Sequence, residues 1–187
     1  MARAGLSPDR VVDAAGVLAD EVGISGLSFA ALAERLGVKV PSLYKHVASL
    51  DAVRQSISVR AKNELADAMG AAAIGRSRDE ALTAIAHAYR AWAGEHPGRY
   101  ETTLRAAAPG DPADVRATER AIEVIFSALA GYGLSQEATI DATRMLRSGL
   151  HGFVAIEAAG GFMLPLDVDR SFGAMVAALD RALADWR

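Results

Sequence analysis

The chain has 187 residues, is 51% hydrophobic and 23% charged, and contains no cysteine. This composition predicts one globular domain, or a small domain joined to a medium one. The lack of cysteine excludes disulfides, thiolate metal sites and a cysteine nucleophile. The first residues lack the apolar core of a signal peptide, and the longest apolar run, between Phe153 and Leu164, is too short for a bilayer. The sequence therefore predicts a cytoplasmic protein that does not enter the membrane.

The net charge of -3 is divided unevenly along the chain, with +2 over residues 1–62 and -5 over the remainder. A basic first part is a hint of nucleic-acid contact, although a solvated surface is the usual explanation of such a difference. Alanine supplies 40 residues and aromatic residues only 6%. This balance favours closely packed helices over a β-sheet, so the predicted fold class is all-α.

Three short helices are predicted before residue 50, and a longer fourth helix begins there. Each begins at a serine cap or at a proline suited to the first helical position, and the first two end at a glycine. The third helix is expected to run for about two turns, to Val47. The residues that mark these ends are Ser7, Pro8, Gly23, Ser28, Gly37, Pro41 and Ser49.

The rest of the chain predicts a helical bundle. Helices are expected over about 79–95 and 97–106, from the 107–112 loop to Gly131, over about 136–159, and from about 169 onward. The third of these carries an apolar face of Val115, Ile122, Ile125, Phe126 and Leu129. The fourth carries two apolar stripes that cover more than half its circumference, so it should pack on its own bundle and on something else. These stripes are Met145, Gly149, Gly152, Ile156 and Ala159, and Leu146, Leu150 and Phe153.

Two short helices joined by a tight turn containing glycine form a helix-turn-helix, whose second helix can lie in the major groove of DNA. The segments 23–29, 32–33, 36–38 and 41–47 resemble the N-terminal domain of TetR-family transcriptional repressors, over about Ser7 to Val53. The segments 148–153, 157–162 and 169–172 are similar to the HG-containing C-terminal domains of one TetR subgroup.

This resemblance implies a three-helix DNA-binding head over residues 1–50 and a helical ligand-binding and dimerisation domain over residues 51–187. The implied partners are double-stranded operator DNA, a small apolar effector and a second copy of the chain, and neither a metal nor a cofactor is expected. The last two helices would form the dimer interface, with Met145, Gly149, Gly152, Ile156, Phe172, Met175 and Leu179.

The resemblance also implies roles for residues of the head. Tyr44 would donate a hydrogen bond to a DNA phosphate, and core packing is the alternative. Lys39, at the start of the third helix, would read a base, although a solvated surface lysine explains it as well. The full set of predicted DNA-binding residues is Ser28, Lys39, Val40, Pro41, Ser42, Tyr44, Lys45 and His46.

Two features depart from the family pattern. The run 48–51 lacks the cation that commonly contacts phosphate there, and Ala30 stands where some members carry a polar or cationic base reader. Arg3 and Arg10 could supply charge instead. The candidate effector-binding residues combine aromatic rings with polar tips, as suits an apolar small molecule, and ordinary core packing is their alternative. They are Tyr89, Trp92, Tyr100, Phe126, Met145 and His151.

Other classes of function find less support in the sequence. No nucleophile elbow, zinc-binding H-E-x-x-H, P-loop or dinucleotide-binding glycine pattern is present, so no catalytic residue is predicted and the chain is not expected to be an enzyme. An all-α protein-interaction module without DNA binding is the alternative, because apolar helix faces suit any helical interface. Salt-dependent binding to duplex DNA would separate the two, since only a DNA-binding regulator should show it.

Overall fold

The computed structural model of the chain describes residues 5–186, and all regular structure in that range is helical. This confirms the predicted all-α fold class. The helices are α1 Pro8–Val22, α2 Phe29–Leu36, α3 Val40–Leu43, α4 Leu50–Ala73, α5 Arg78–Glu95, α6 Pro97–Thr103, α7 Pro112–Leu129, α8 Gln136–Ala158 and α9 Val168–Ala184, with a 3₁₀ turn Ala130–Tyr132 after α7.

Side-chain caps begin the helices where the sequence predicts them. The hydroxyl oxygens of Ser7, Ser28 and Ser49 each accept a hydrogen bond from a backbone amide three residues later, at 3.3, 3.2 and 3.0 Å. Such a cap satisfies one of the amides that a helix leaves unpaired at its start. Gly37 ends α2 with a φ of 66° and a left-handed conformation, which glycine adopts without strain.

The third helix is shorter than predicted. Regular α-helix ends at Leu43, and residues 44–46 form a turn in which the amides of His46 and Val47 both donate to the Leu43 carbonyl, at 2.9 and 3.0 Å. The second predicted turn is therefore hydrogen-bonded turn structure instead of α-helix, and it leads directly to the Ser49 cap of α4.

The described residues form two compact units. One comprises the residues up to Asn63 together with Glu95–Thr118, and the other comprises Glu64–Gly94 and the residues from Glu119 onward. The core of the first unit combines α1, α2, α3 and the start of α4. Val53 and Ile57 of α4 are buried in the same cluster as Val11, Leu32 and Leu43. The hydrophobic core of the helix-turn-helix thus extends past residue 50. The boundary at residue 50 between a DNA-binding domain and a ligand-binding domain stays a prediction.

Within the first unit, α6 lies directly on α1. The backbone amide and Nε of Arg99 donate to the two carboxylate oxygens of Asp20, at 2.8 and 2.7 Å. A Cβ added at Gly98 would lie 1.9 Å from the backbone oxygen of Ala19, so only glycine permits this approach. Close backbone packing at Gly98 and the charged hydrogen bonds of Arg99 therefore both hold α6 against α1.

A buried ion pair joins α4 to α7 in the same unit. Lys62 Nζ donates to Asp114 Oδ1 at 2.6 Å, and the residues are 4% and 1% exposed. The other oxygen of Asp114 accepts from Gln55 Nε2 and from the amide of Ala108, both at 2.8 Å. The carboxylate is thus compensated in both charge and hydrogen bonding, as a buried charge requires.

The second unit has its core on α5, α8 and α9. Leu82 and Ile85 of α5, Leu146 and Leu150 of α8, and Phe172 of α9 are all buried.

The predicted apolar face of α7 is only partly covered by the chain. Of its five residues only Leu129 is buried, whereas Val115, Ile122 and Phe126 are 38–39% exposed.

Candidate functional site

The helix-turn-helix places all eight predicted DNA-binding residues on α2, α3 and the turns beside them. None of these residues is fully buried. Ser28 is half-buried and its hydroxyl oxygen accepts from the Ala31 amide, so the predicted contact with DNA would share this hydroxyl with the cap of α2. Lys39, Pro41, Tyr44 and Lys45 are exposed, and Val40, Ser42 and His46 are half-buried.

The turn between α2 and α3 presents Lys39 at the start of α3. The amides of Gly37 and Val38 close the end of α2 by donating to carbonyls of that helix, including the Ala33 carbonyl at 3.0 Å from the Val38 amide. Lys39 follows in an extended conformation and carries no ion pair with any described residue. An uncompensated ammonium just before the second helix of a helix-turn-helix is suited to a base edge or a phosphate.

Tyr44 is 58% exposed, yet its ring is held in place. The ring packs edge-on against Phe29 of α2, with centroids 5.0 Å apart and an interplanar angle of 72°. Its hydroxyl has no hydrogen-bond partner within the part of the chain that the structure describes. An anchored ring with an available hydroxyl is the arrangement that a phosphate contact needs, and the Phe29 contact is a supporting feature that the sequence did not reveal.

Arg3 and Arg10 are the arginines expected to supplement the positive charge of the head. Arg3 lies outside the described residues. Arg10 is exposed on the first turn of α1, and one of its guanidinium nitrogens donates to the Gly5 carbonyl at 3.3 Å. Arg35 of α2, which is not among the predicted DNA-binding residues, forms an ion pair with the Glu21 carboxylate at 2.6 Å, so its charge is compensated within the chain.

The candidate effector-binding residues are not all in one unit. Tyr89 and Trp92 are buried on α5, while Met145 and His151 are half-buried on α8. Phe126 is 38% exposed on α7. Tyr100, which is buried on α6, belongs to the first compact unit, whereas the other five belong to the second.

A charged cluster that sequence reasoning missed joins α5, α8 and α9. Arg90 forms a two-point ion pair with Glu157 and a further ion pair with Asp169 at 2.8 Å. Its guanidinium also lies 4.8 Å from the ring centroid of Phe172 and 5.5 Å from that of Phe153. The hydrogen bond to Glu157, reinforced by Asp169, holds the pKa of Arg90 above its ordinary value. The sequence signal was the single acidic residue near the end of the apolar α8.

The predicted dimer-interface residues fall into three groups. Gly149 faces α9 within the chain, since a Cβ there would lie in ordinary van der Waals contact with Leu179 Cδ1, at 3.5 Å. Phe172 of α9 is fully buried and packs against Phe153 of α8, so its side chain has no surface that a second copy could contact. Gly152 has open space around its missing side chain, and Ile156 is 47% exposed. Met145, Met175 and Leu179 are half-buried.

The connection from α8 to α9 carries large apolar side chains that the chain does not cover. Met163, Leu164 and Leu166 are 85%, 84% and 63% exposed.

Across residues 5–186, no three His, Asp or Glu side chains gather in a way that could hold a metal ion. No helix in the same range combines the length and apolar character needed to cross a membrane.

Two family descriptions match the chain. The family described as bacterial regulatory proteins, tetR family, matches residues 11–53, and that described as tetracyclin repressor-like, C-terminal domain, matches residues 82–179. The first match spans the helix-turn-helix, and the second spans α5 to α9 in large part.

Relatives of known sequence match most of the chain. It is 38% identical to the uncharacterized HTH-type transcriptional regulator Rv0681 of Mycobacterium tuberculosis, over 94% of this chain and 81% of that protein. It is 37% identical to the uncharacterized HTH-type transcriptional regulator YobS of Bacillus subtilis, over 89% of this chain and 86% of that protein. Among solved structures, a TetR variant from Acinetobacter baumannii AYE in complex with minocycline shares the fold, with a TM-score of 0.67, 21% identity and 96% of each chain covered. The chain therefore belongs to the TetR family of bacterial helix-turn-helix transcriptional regulators.

Proposed function

We propose that the chain is a homodimeric, sequence-specific DNA-binding regulator that represses transcription and leaves its operator when a small apolar effector binds. The observation that carries this proposal is that the ammonium of Lys39, just before α3, and the anchored ring of Tyr44, just after it, lie on one helix-turn-helix. The regulator acts in the cytoplasm, where its operator is accessible, and it has no catalytic role.

Two substitutions in the head separate positioning on DNA from reading of sequence. Tyr44→Phe removes one phosphate hydrogen bond and is expected to weaken binding to all duplexes by a similar factor, about 1 kcal/mol. Lys39→Ala is expected to weaken binding and also to relax preference at one base pair, by about 1–3 kcal/mol. Affinities for a selected operator and its point variants check both outcomes. If Lys39→Ala lowers every affinity by one common factor, Lys39 contacts the backbone and the assignment of base reading is wrong.

The salt dependence of binding follows from the cations of the head. Because the run 48–51 carries no cation, we expect operator affinity to depend only weakly on salt concentration. The slope should fall by about one unit for each phosphate contact that a substitution removes. Measuring the same affinities at several salt concentrations gives this slope.

Gly152→Leu is expected to convert the dimer to a monomer. Nothing lies within 4 Å of a Cβ added at Gly152, so a side chain can begin there without a clash, and a leucine would obstruct a closely approaching second copy. Light scattering gives the mass, and circular dichroism checks that the helices remain. Gly94→Leu, at another open helical glycine, is the matched control and should stay dimeric. A soluble, unchanged Gly152→Leu dimer would place the interface elsewhere.

We infer that the effector binds in the second unit, where five of the six candidate residues lie: Tyr89, Trp92, Phe126, Met145 and His151. The sixth candidate, Tyr100, belongs to the first unit. The minocycline complex of the structurally similar TetR variant supports a small-molecule effector. A ligand shifts a conformational equilibrium only if it binds the two conformations with different affinity. Apolar compounds of drug size are therefore expected to raise the melting temperature and weaken operator binding together. Ligands that stabilise the protein and leave operator affinity unchanged would contradict induction.

A further inference from the structure

A cleft of about 770 Å³ lies within the first compact unit, apart from every residue assigned above to DNA, effector or dimer. Its volume is in the range of roughly 300–1,000 Å³ that small-molecule sites occupy. The turn between α1 and α2, the first part of α4, the end of α6 and the connection to α7 form its walls. The lining residues are Ile24, Ser25, Arg54, Gln55, Ser58, Glu101, Thr102, Arg105, Ala106, Ala107, Ala108, Pro109 and Asp114.

The polar groups at the base of the cleft are already paired with one another. Asp114 accepts from Lys62, Gln55 and the Ala108 amide, so its charge is compensated and both its oxygens are engaged. The Ser58 hydroxyl donates to the Thr102 carbonyl at 3.0 Å. These paired groups therefore attract a cation only weakly. Their hydrogen bonds link α4 to α6 and α7, which keeps the walls of the cleft in place.

The rim, in contrast, carries two arginines and two backbone amides whose hydrogen-bond donors are not all occupied. The Arg105 side chain is exposed and forms no ion pair with any described residue. The backbone amides of Ala106 and Ala107 donate no hydrogen bond to any described residue. Arg54 forms an ion pair with the exposed carboxylate of Asp51 at 3.2 Å and donates a hydrogen bond to the Leu27 carbonyl at 3.4 Å, through two of its three guanidinium nitrogens. Guanidinium groups and free amides together form the donor set that a carboxylate or phosphate prefers.

The remaining lining residues narrow the class of ligand. Glu101 is an exposed carboxylate on the same rim, and its charge opposes a ligand with more than one negative charge. Ile24, Ala107 and Pro109 add apolar surface that suits a hydrocarbon body. A single carboxylate attached to an apolar group satisfies both parts of the wall, whereas phosphate satisfies only the donors.

We propose that this cleft is a binding site for a small organic monocarboxylate, with the carboxylate on the Arg54 and Arg105 side and the apolar body against Ile24 and Pro109. The site goes beyond the proposed regulatory function and does not depend on it. A ligand on Arg54 would lie beside the segment that leads into α2, since Arg54 reaches the carbonyl of Leu27, the residue before Ser28.

Benzoate and its neutral isostere benzamide test the site in the full chain. Chemical shifts of the Ala106 and Ala107 amides, followed by NMR at constant ionic strength, give a Kd for each probe. Benzoate is expected to shift these amides saturably with a Kd in the millimolar range or tighter, and benzamide is expected to bind about tenfold more weakly or not at all. Equal binding of the two probes, or no shift with either, would overturn the proposal.

Arg105→Gln is expected to raise the Kd for benzoate about tenfold, because it removes the positive charge and replaces the five N–H donors of the guanidinium with the two of an amide. The position is exposed, so folding should be unaffected. Arg116→Gln, at an exposed arginine of α7 outside the cleft, is the matched control and should bind as the unmodified chain does. An unchanged Kd in Arg105→Gln would show that the carboxylate binds elsewhere. Because no DNA enters this measurement, its failure is distinguishable from a failure of operator binding.

Discussion

Gly98→Ala is expected to lower the free energy of unfolding by about 3 kcal/mol or more, although it adds a single methyl group. The new Cβ would lie 1.9 Å from the backbone oxygen of Ala19, 2.2 Å from its carbonyl carbon and 2.8 Å from the Asp20 amide nitrogen. These are main-chain atoms of α1, so no rotation of a side chain relieves the overlap and the two helices must separate. Overpacking of this kind is among the few mechanisms that produce large effects.

Separation of α6 from α1 would also break the hydrogen bonds from Arg99 to Asp20. Denaturant unfolding followed by circular dichroism measures the decrease in stability. Gly94→Ala is the matched control, since that helical glycine has nothing within 4 Å of its missing Cβ. Alanine there should be neutral or stabilising by up to about 1 kcal/mol. Equal stabilities of Gly98→Ala and Gly94→Ala would show that α6 does not lie directly on α1.

The sequence predicts those parts of the fold that local rules determine. Ser7, Ser28 and Ser49 begin helices because a hydroxyl can pair a free amide within three residues, and Gly37 ends one because its conformation is left-handed. The tight turn and the apolar spacing then identify the helix-turn-helix. Each of these signals involves residues that are neighbours along the chain, so it can be recognised without knowledge of the tertiary fold.

What the sequence does not reveal depends on contacts between distant residues. Gly98 resembles any glycine near a proline until α1 is placed against it, and Asp114 resembles an ordinary acidic residue in the first turn of a helix. The apolar face of α7 shows the converse. Its helical spacing is clear, yet Val115 and Ile122 remain partly exposed, because periodicity identifies an apolar face without showing what covers it.

The same limit applies to the candidate sites. All predicted DNA-binding residues lie on the helix-turn-helix, since its short range leaves little freedom in how they are arranged. The effector candidates were chosen by residue type alone, and the structure divides them between two compact units. The resemblance implies that Phe172 lies in the dimer interface, whereas its side chain is fully buried within the protomer.

Lys62→Met is expected to destabilise the protein by about 3–5 kcal/mol at neutral pH, because it leaves the Asp114 carboxylate buried without a counter-charge. The Gln55 and Ala108 donors would remain, so the carboxylate keeps two hydrogen bonds and loses only the ammonium. Arg120→Met is the control, since it breaks an exposed ion pair with Asp67 and should cost less than about 1 kcal/mol. Thermal or denaturant unfolding compares the two variants. Similar decreases in both would mean that the Lys62 pair is not buried in solution.

The dependence of this destabilisation on pH identifies Asp114 as its source. Burial acts to raise the pKa of Asp114, but hydrogen bonds from Lys62, the Ala108 amide and Gln55 outweigh it and hold the pKa below its usual value. In the unmodified chain the resulting stability is complete above the unfolded-state pKa of about 4, and it disappears as the pH falls below that value. In Lys62→Met the lowering of the pKa by the ammonium is lost and the opposing effect of burial remains. We therefore expect Asp114 to take up a proton in the folded variant at a higher pH than in the unfolded chain, which removes the buried uncompensated charge.

The difference in unfolding free energy between the unmodified chain and Lys62→Met is therefore expected to narrow as the pH is lowered from about 7 to about 4. Lys62→Met with Asp114→Asn removes the titrating group, so its difference from the unmodified chain should stay constant over that range. Unfolding curves at several pH values for the three proteins provide the test. A Lys62→Met difference that does not change with pH would assign the destabilisation to the packing of the lysine side chain instead of to an uncompensated carboxylate.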